Sequence, residues 1–332
     1  VALQTLATTL GHAEAGGYAV GAFNVSDLNQ AVAVLDAARA ERSPVIVQAI
    51  AGMHPYADEG WWWDRLRELV LSYPDVEVTL HLDHGRTVDD CVRAIDHGFT
   101  SVMIDASRDP ESEEPASFSD NVALTRRVVE IARPRGVSVE GELGTIGGVE
   151  GGTGGSPEEI VFADPDQAAE FVAATGVDAL AVAVGTSHGS VKFTTAEGGQ
   201  RLRVGLIEEI KERLPETFLV LHGSSSIPAD AVATINAHGG RLEESYGIAT
   251  EQKQEGIASG IRKVNQGTDS HLVWTAALRE FLSTRPGDVE PSLAIISSIG
   301  AMVGIVRQRM REFGSSGRTE TSRQDDLEVR TA

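Results

Sequence analysis

Cysteine, lysine and aromatic residues are all scarce in this 332-residue chain. A single cysteine, Cys91, rules out an intramolecular disulfide. Lysine occurs only four times, at Lys192, Lys211, Lys253 and Lys263, so chemistry built on a lysine Schiff base has few candidates. Basic residues number 28 against 49 acidic ones, a net charge of −21. Phosphate backbones and anionic bilayers call for the opposite sign, so neither a nucleic-acid nor a membrane partner is expected. No run of about 18 apolar residues marks a membrane span. The opening Val1-Ala2-Leu3-Gln4 has no basic stretch followed by an apolar signal core, and a reducing cytoplasm is the expected compartment.

What is present is an alternation. Short runs rich in Val, Ile and Ala fall at 19–25, 44–50, 77–83, 101–105, 138–143, 179–185, 218–222 and 261–265, and helical spacing of apolar residues follows each at 28–42, 61–73, 87–97, 119–133, 166–174, 203–214, 228–238 and 269–283. Runs apolar on both faces, such as Ala179-Leu180-Ala181-Val182-Ala183-Val184, suit parallel strands covered inside and out. Eight such units predict an α/β fold, a single (β/α)8 TIM barrel with an additional C-terminal helix at 292–313. Residues 1–313 would form one domain, and 314–332 a polar tail without structure of its own. The longest irregular stretch, 144–158, is crowded with glycines and reads as a lid or binding loop.

A barrel of this kind gathers its reactive groups at the C-terminal ends of the strands. Those ends read Asn24, Gln48, Asp83-His84, Asp105, Glu142, His188, His222 and Asn265, all polar or ionisable. Three of the nine histidines, His84, His188 and His222, each precede a glycine at such an end. Neutral imidazoles converging from three strands suit a zinc ion with an open position for substrate. The other six histidines are assigned structural or solvent roles, with His81 a candidate for steering a ligand. Asp83, next to His84, is a natural general acid-base. Glu142 is a candidate alternate metal ligand, and Glu150, on the glycine loop, would reach a substrate on closure. Two segments resemble anion cradles: Gly223, Ser224 and Ser225 ahead of the helix opening at Pro228, and Asn265, Gln266, Gly267 and Thr268 after the last strand.

Taken together, Gly21-Ala22-Phe23-Asn24-Val25, His81-Leu82-Asp83-His84-Gly85, the Val139 to Glu150 block, Gly185 to Gly189 and His222 to Pro228 resemble the class II, zinc-dependent fructose-bisphosphate aldolases from about 18 to 313. The subgroup associated with carbon fixation is the most similar. The resemblance implies a retro-aldol reaction in which zinc on His84, His188 and His222, with Glu142 as a second metal-associated carboxylate, polarises the ketone of a ketose phosphate. Asp83 would take the C4 hydroxyl proton, and Glu150 would protonate the enediolate to give dihydroxyacetone phosphate. Gly189, Gly223 to Ser225 and Asn265 to Thr268 would hold the near phosphate, and Asn24 would face the substrate. The resemblance also implies room for a second divalent ion, a monovalent cation beside the phosphate, and a homodimer or larger assembly.

Two positions depart from the pattern. Ile50 stands where the family has a serine, and Ser292 where it has an arginine, both contacts to the far-end phosphate. This raises an alternative substrate, a ketose 1-phosphate whose aldehyde half lacks a phosphate, unless Arg86 or Arg285 compensates. Competing readings are a Schiff-base aldolase using Lys263 and a non-catalytic barrel that binds sugar phosphates.

Overall fold

The computed structural model describes residues 3–108, 112, 114–146, 149–150, 153–154, 160–188, 202–243 and 245–319. All eight expected strands form: β1 (Val20–Asn24), β2 (Val45–Ile50), β3 (Val78–Gly85), β4 (Ser101–Ile104), β5 (Ser138–Leu143), β8 (Ala179–Val182), β9 (Phe218–Leu221) and β10 (Ile261–Gln266). They close into a barrel in the order β1-β10-β9-β8-β5-β4-β3-β2, with every ladder parallel. Inside the glycine-rich stretch, β6 (Val149–Glu150) and β7 (Thr153–Gly154) make a small antiparallel hairpin.

The helices between barrel strands are α2 (Leu28–Glu41), α3 (Glu59–Leu71), α4 (Val88–Asp96), α5 (Phe118–Ala132), α6 (Pro165–Thr175), α7 (Val204–Arg213) and α8 (Ala229–Ala237), and α10 (Thr268–Thr284) follows the last strand. Their starts are set by short polar side chains that accept otherwise unpaired first-turn amides. Asp27 takes those of Asn29 and Gln30, and Thr87 and Asp90 form a reciprocal capping box. Between helices and strands lie Leu35, Trp62, Trp63, Leu66, Phe99 and Phe171, all buried.

Two helices were not anticipated from the sequence. One is α1 (Leu6–Gly16), whose Leu6, Leu10 and Ala13 pack with Val20, Ala22, Ile46, Ala179, Ala181 and Val220 and plug the floor of the barrel. The other, α9 (Thr250–Ala258), buries Lys253, Gly256 and Ile257, and its buried lysine hides the apolar periodicity.

The expected C-terminal helix is α11 (Pro291–Glu312), packed through Met302, Val306 and Met310. By length and composition it is apolar enough to cross a membrane, yet Arg309 on its packed face bonds Asp269 at 2.8 Å and ties it to α10. The boundary expected at 313 moves outward. Ser315 Oγ pairs with Ser43 Oγ at 2.8 Å and the Gly317 amide donates to Glu41 O at 2.8 Å, so 314–319 dock onto the barrel. Residues 320–332 of the expected tail lie outside the described residues.

Candidate active site

Asp83 and His84 are consecutive, and a regular strand would point them to opposite faces. In β3 the register slips: Leu82 pairs with Val102 and Gly85 with Ile104, three steps against two. The extra residue is a bulge, and His84 takes φ 47°, the left-handed region that costs a residue with a Cβ about 1–2 kcal/mol. The distortion brings both side chains to the barrel mouth, a strained backbone at the place where chemistry is expected.

There, ring nitrogens of His84, His188 and His222 lie within 4.8 Å of one another, and all three residues are buried. His84 Nε2 and His222 Nδ1 are 3.0 Å apart, near the roughly 3.3 Å expected for two nitrogens about 2.05 Å from one tetrahedral ion. His84 belongs to a second group as well, with Asp105 and Glu142. Its Nδ1 meets Asp105 Oδ2 at 2.8 Å. Ser107 reaches both acids, donating to Asp105 Oδ1 at 2.7 Å with Glu142 Oε1 at 3.4 Å from the same hydroxyl.

The electrostatics favour a cation. Burial disfavours a charge on His84, but Asp83 and Asp105 outweigh it and lift its pKa to about 10. Burial, and then Asp105, push the Glu142 carboxyl well above the usual range. Its Oε2 is buried with no hydrogen-bond partner. A lone-pair donor left in that state beside three imidazoles fits a metal ion better than it fits a closed polar network.

Asp83 is fully buried and held by amides: Asn24 Nδ2 at 2.7 Å and Gln48 Nε2 at 3.1 Å on Oδ2, and Asn265 Nδ2 at 3.2 Å on Oδ1. Gln48 also donates to Asn24 Oδ1 at 2.8 Å. Burial works against ionisation, and the surrounding His84, His222 and Lys263 overcome it, so the Asp83 pKa is lowered.

The two expected cradles meet at the rim. Gly223 has φ 61°, and a Cβ there would come within 2.8 Å of the Ser187 backbone, so only glycine fits. Ser225 Oγ accepts from the Gly267 amide at 3.1 Å, linking the segments. Thr268 opens α10, whose N-terminus carries no side-chain cap and so leaves amides for an anion. Ser224 and Gln266 are turned inward: Ser224 Oγ donates to Asn265 O at 2.6 Å, and Gln266 Nε2 to the same oxygen at 2.7 Å.

A family model described as fructose-bisphosphate aldolase class-II matches residues 4–318. The chain belongs to the class II fructose-bisphosphate aldolase family. It is 44% identical over 339 residues to the fructose-bisphosphate aldolase of Nostoc sp., covering 99% of this chain and 94% of the relative. With the Rhizobium meliloti protein of the same name it shares 42% identity, over 94% of this chain and 90% of that one. Among solved structures, the YdjI aldolase from Escherichia coli K12 superposes with a TM-score of 0.75 at 26% identity, over 96% of this chain and all of that one. As a class II aldolase the chain is a metal-dependent lyase, and the barrel is the fold its structural neighbours share.

Within this class II framework, several residues fall differently from expectation. Asn24 holds Asp83, and Asp105, expected only as a polar strand end, joins the metal-ligand group. Ile50 lines a cavity of about 550 Å³ beside His84, with His54, Tyr56, Arg86 and Arg93. Arg93 is engaged by Glu59, Asp89 and Asp90. Ser292 is exposed at the start of α11, and Arg285 pairs with Asp288 at the far end of α10, so neither is brought to that cavity in one chain. Lys263 is fully buried with Nζ 2.8 Å from Glu140 Oε2, against a Schiff-base role. Glu150 falls in β6, where only the backbone is described, and Gly189 lies outside the described residues.

Proposed function

We propose that this protein is a zinc aldolase that reversibly cleaves a ketose phosphate of the fructose 1,6-bisphosphate type into dihydroxyacetone phosphate and an aldehyde. The observation that carries the reading is the convergence of three imidazoles beside a buried, amide-held carboxylate. Zinc held by His84, His188 and His222, with Glu142 within reach, would supply Lewis-acid polarisation of the substrate ketone. Asp83 accepts the C4 hydroxyl proton as the C3–C4 bond breaks, its oxygens kept in place by Asn24, Gln48 and Asn265. Glu150, on the hairpin between β5 and α6, returns a proton to carbon. The phosphate lies on the amides of Gly189, Gly223 to Ser225 and the start of α10, where a monovalent cation would offset its charge. Asp105 and Glu142, the carboxylates grouped beside His84, are the residues to hold a second divalent ion.

The protein works in the cytoplasm as a homodimer or larger assembly. Supporting the assembly, Leu282, Val289, Leu293 and Ile296 are exposed along the end of α10, the link and the start of α11. A second substrate reading, a ketose 1-phosphate, is favoured by Ile50 in the cavity wall and by the carboxylates already occupying Arg93.

Steady-state kinetics on fructose 1,6-bisphosphate and fructose 1-phosphate decide between the two. A kcat/KM at least tenfold higher for the bisphosphate supports the first reading, and the reverse supports the second. Chelation should abolish activity and zinc restore it. Activity that survives chelation but is trapped by borohydride would overturn both.

A further inference from the structure

Below the three histidines the barrel interior holds a charged layer that the proposed chemistry leaves unused. Glu140 on β5, His81 on β3 and Lys263 on β10 are fully buried. Such interiors are ordinarily filled by branched apolar side chains, and a buried ion pair is weak evidence for stability. The layer therefore calls for another explanation, and its hydrogen bonds supply one.

Lys263 only donates. Its Nζ meets Glu140 Oε2 at 2.8 Å and His81 Nε2 at 3.4 Å, and His81 Nδ1 reaches Ser101 Oγ at 2.9 Å. A carboxylate only accepts. Glu140 Oε1 lies 2.8 Å from His222 Nε2, so the ring hydrogen of His222 must sit on Nε2 and its Nδ1 is left an acceptor, with Asn265 Nδ2 3.3 Å away. By the same accounting Asp105 Oδ2, 2.8 Å from His84 Nδ1, fixes a hydrogen on Nδ1 and makes Nε2 the nitrogen that would face a metal. These two nitrogens face each other at 3.0 Å. In the metal-free protein a charged His84 can donate to His222 Nδ1 across this gap, and a bound metal ion would take the place of that proton.

We propose that Glu140, oriented by Lys263, is a positioning residue that fixes the His222 tautomer so that Nδ1 is the metal-facing nitrogen. The inference rests on the metal site proposed above. Lys263 thereby has a function without being a nucleophile: it occupies the second oxygen of Glu140 so that the first faces His222. Conserving the chemistry of this layer matters more than its volume, because exchanging donors for acceptors changes which nitrogen is available while leaving the packing nearly intact.

The test is zinc affinity of the metal-stripped full chain, read by competition with a chromophoric chelator, alongside thermal unfolding of the same metal-free protein. Glu140→Gln sets an amide against two donors, His222 Nε2 and Lys263 Nζ, and can satisfy only one. Zinc binding should weaken 10- to 100-fold, the usual effect of losing an outer partner of a metal ligand. Lys263→Met leaves one carboxylate oxygen without its donor and should weaken zinc about tenfold. In Glu140→Gln/Lys263→Met the amide oxygen can accept from His222 while its NH2 turns to His81 Nε2, which lies 3.6 Å from Glu140 Oε2. Affinity should return to within a few-fold of the parent, with the nitrogen-15 shifts of the metal-free His222 ring again those of the Nε2–H form.

A merely structural role would make the double variant at least as impaired as either single one. That result would overturn the proposal, as would unchanged zinc affinity in Glu140→Gln. If Glu140→Gln does not fold, Lys263→Met with unchanged affinity and His222 tautomer overturns it equally. Parent protein that takes up no zinc would instead overturn the metal-site reading, and this inference with it.

Discussion

Replacing Asp83 by asparagine separates the proposed base from the metal site, and the surroundings of Asp83 set the size of each effect. An amide cannot accept the hydroxyl proton, and a positioned general base contributes about 10²- to 10⁴-fold, or about 2.7–5.5 kcal/mol of transition-state stabilisation. The fold should suffer much less. With its oxygen turned to Asn24 Nδ2 and Gln48 Nε2, at 2.7 and 3.1 Å from Oδ2 in the parent, the new amide opposes only Asn265 Nδ2. Asn265 Oδ1 is buried without a partner, so this side chain can turn over and accept instead. The stability loss should then be about 1 kcal/mol, the lower end of the cost of a buried donor left unmatched. The assay is kcat and kcat/KM on the preferred substrate, with zinc content and thermal unfolding of the same preparation. Activity within tenfold of the parent, zinc retained, would refute the assignment of Asp83 as base. Loss of zinc in parallel with activity would refute the separation of base from metal site.

Three further outcomes are expected. Gly223→Ala must hold alanine at φ 61° with its Cβ 2.8 Å from the Ser187 backbone, costing about 1–2 kcal/mol for the conformation alone; KM for the phosphate substrate should rise at least tenfold, and an unchanged KM removes the loop from phosphate binding. Glu41, bonded by Arg311, Arg307 and Ser316, has its pKa lowered from 4.5 to about 2, the Arg311 hydrogen bond being the main cause and burial opposing it. Because the folded value lies below the unfolded one, this stabilisation is complete above about pH 4.5 and disappears as pH falls towards 2. Arg311 is 57% exposed, so solvent screens its share of this stabilisation, and Glu41→Gln should flatten the acid limb of unfolding free energy against pH; a parallel limb counts against the cluster. Ile296→Glu, at a position 61% exposed, should lower the mass measured by light scattering towards that of a single chain, and an unaltered mass excludes this face from the assembly.

The barrel was legible because its period is local. Strands such as Ala179 to Val182 are apolar on both faces, and helices such as Leu28 to Glu41 begin at a short polar cap, so each unit announces itself within a dozen residues. The floor helix α1 escaped because an alternation counted from the first strand has no place for a helix before it, although Leu6, Leu10 and Ala13 carry the right spacing. The same limit held at the C-terminus: the polar composition of 314–319 says nothing of the Glu41 and Ser43 partners, some 270 positions away, that dock it.

At the site, the amino-acid sequence by itself determined the residue types and their placement: His84, His188, His222, Asp83 and Glu142 each stand at or beyond the C-terminal end of a strand, where a barrel collects chemistry. Only the tertiary structure decided their use. The bulge that brings neighbouring Asp83 and His84 into one site depends on register with β4. That Asn24 supports Asp83, that Asp105 stands against His84, and that Glu140 and Lys263 meet beneath His222 are contacts between strands far apart in the chain. Hydrogen bonding and desolvation act through distances of a few ångströms in space, and no local pattern of residues encodes which distant side chain will stand there.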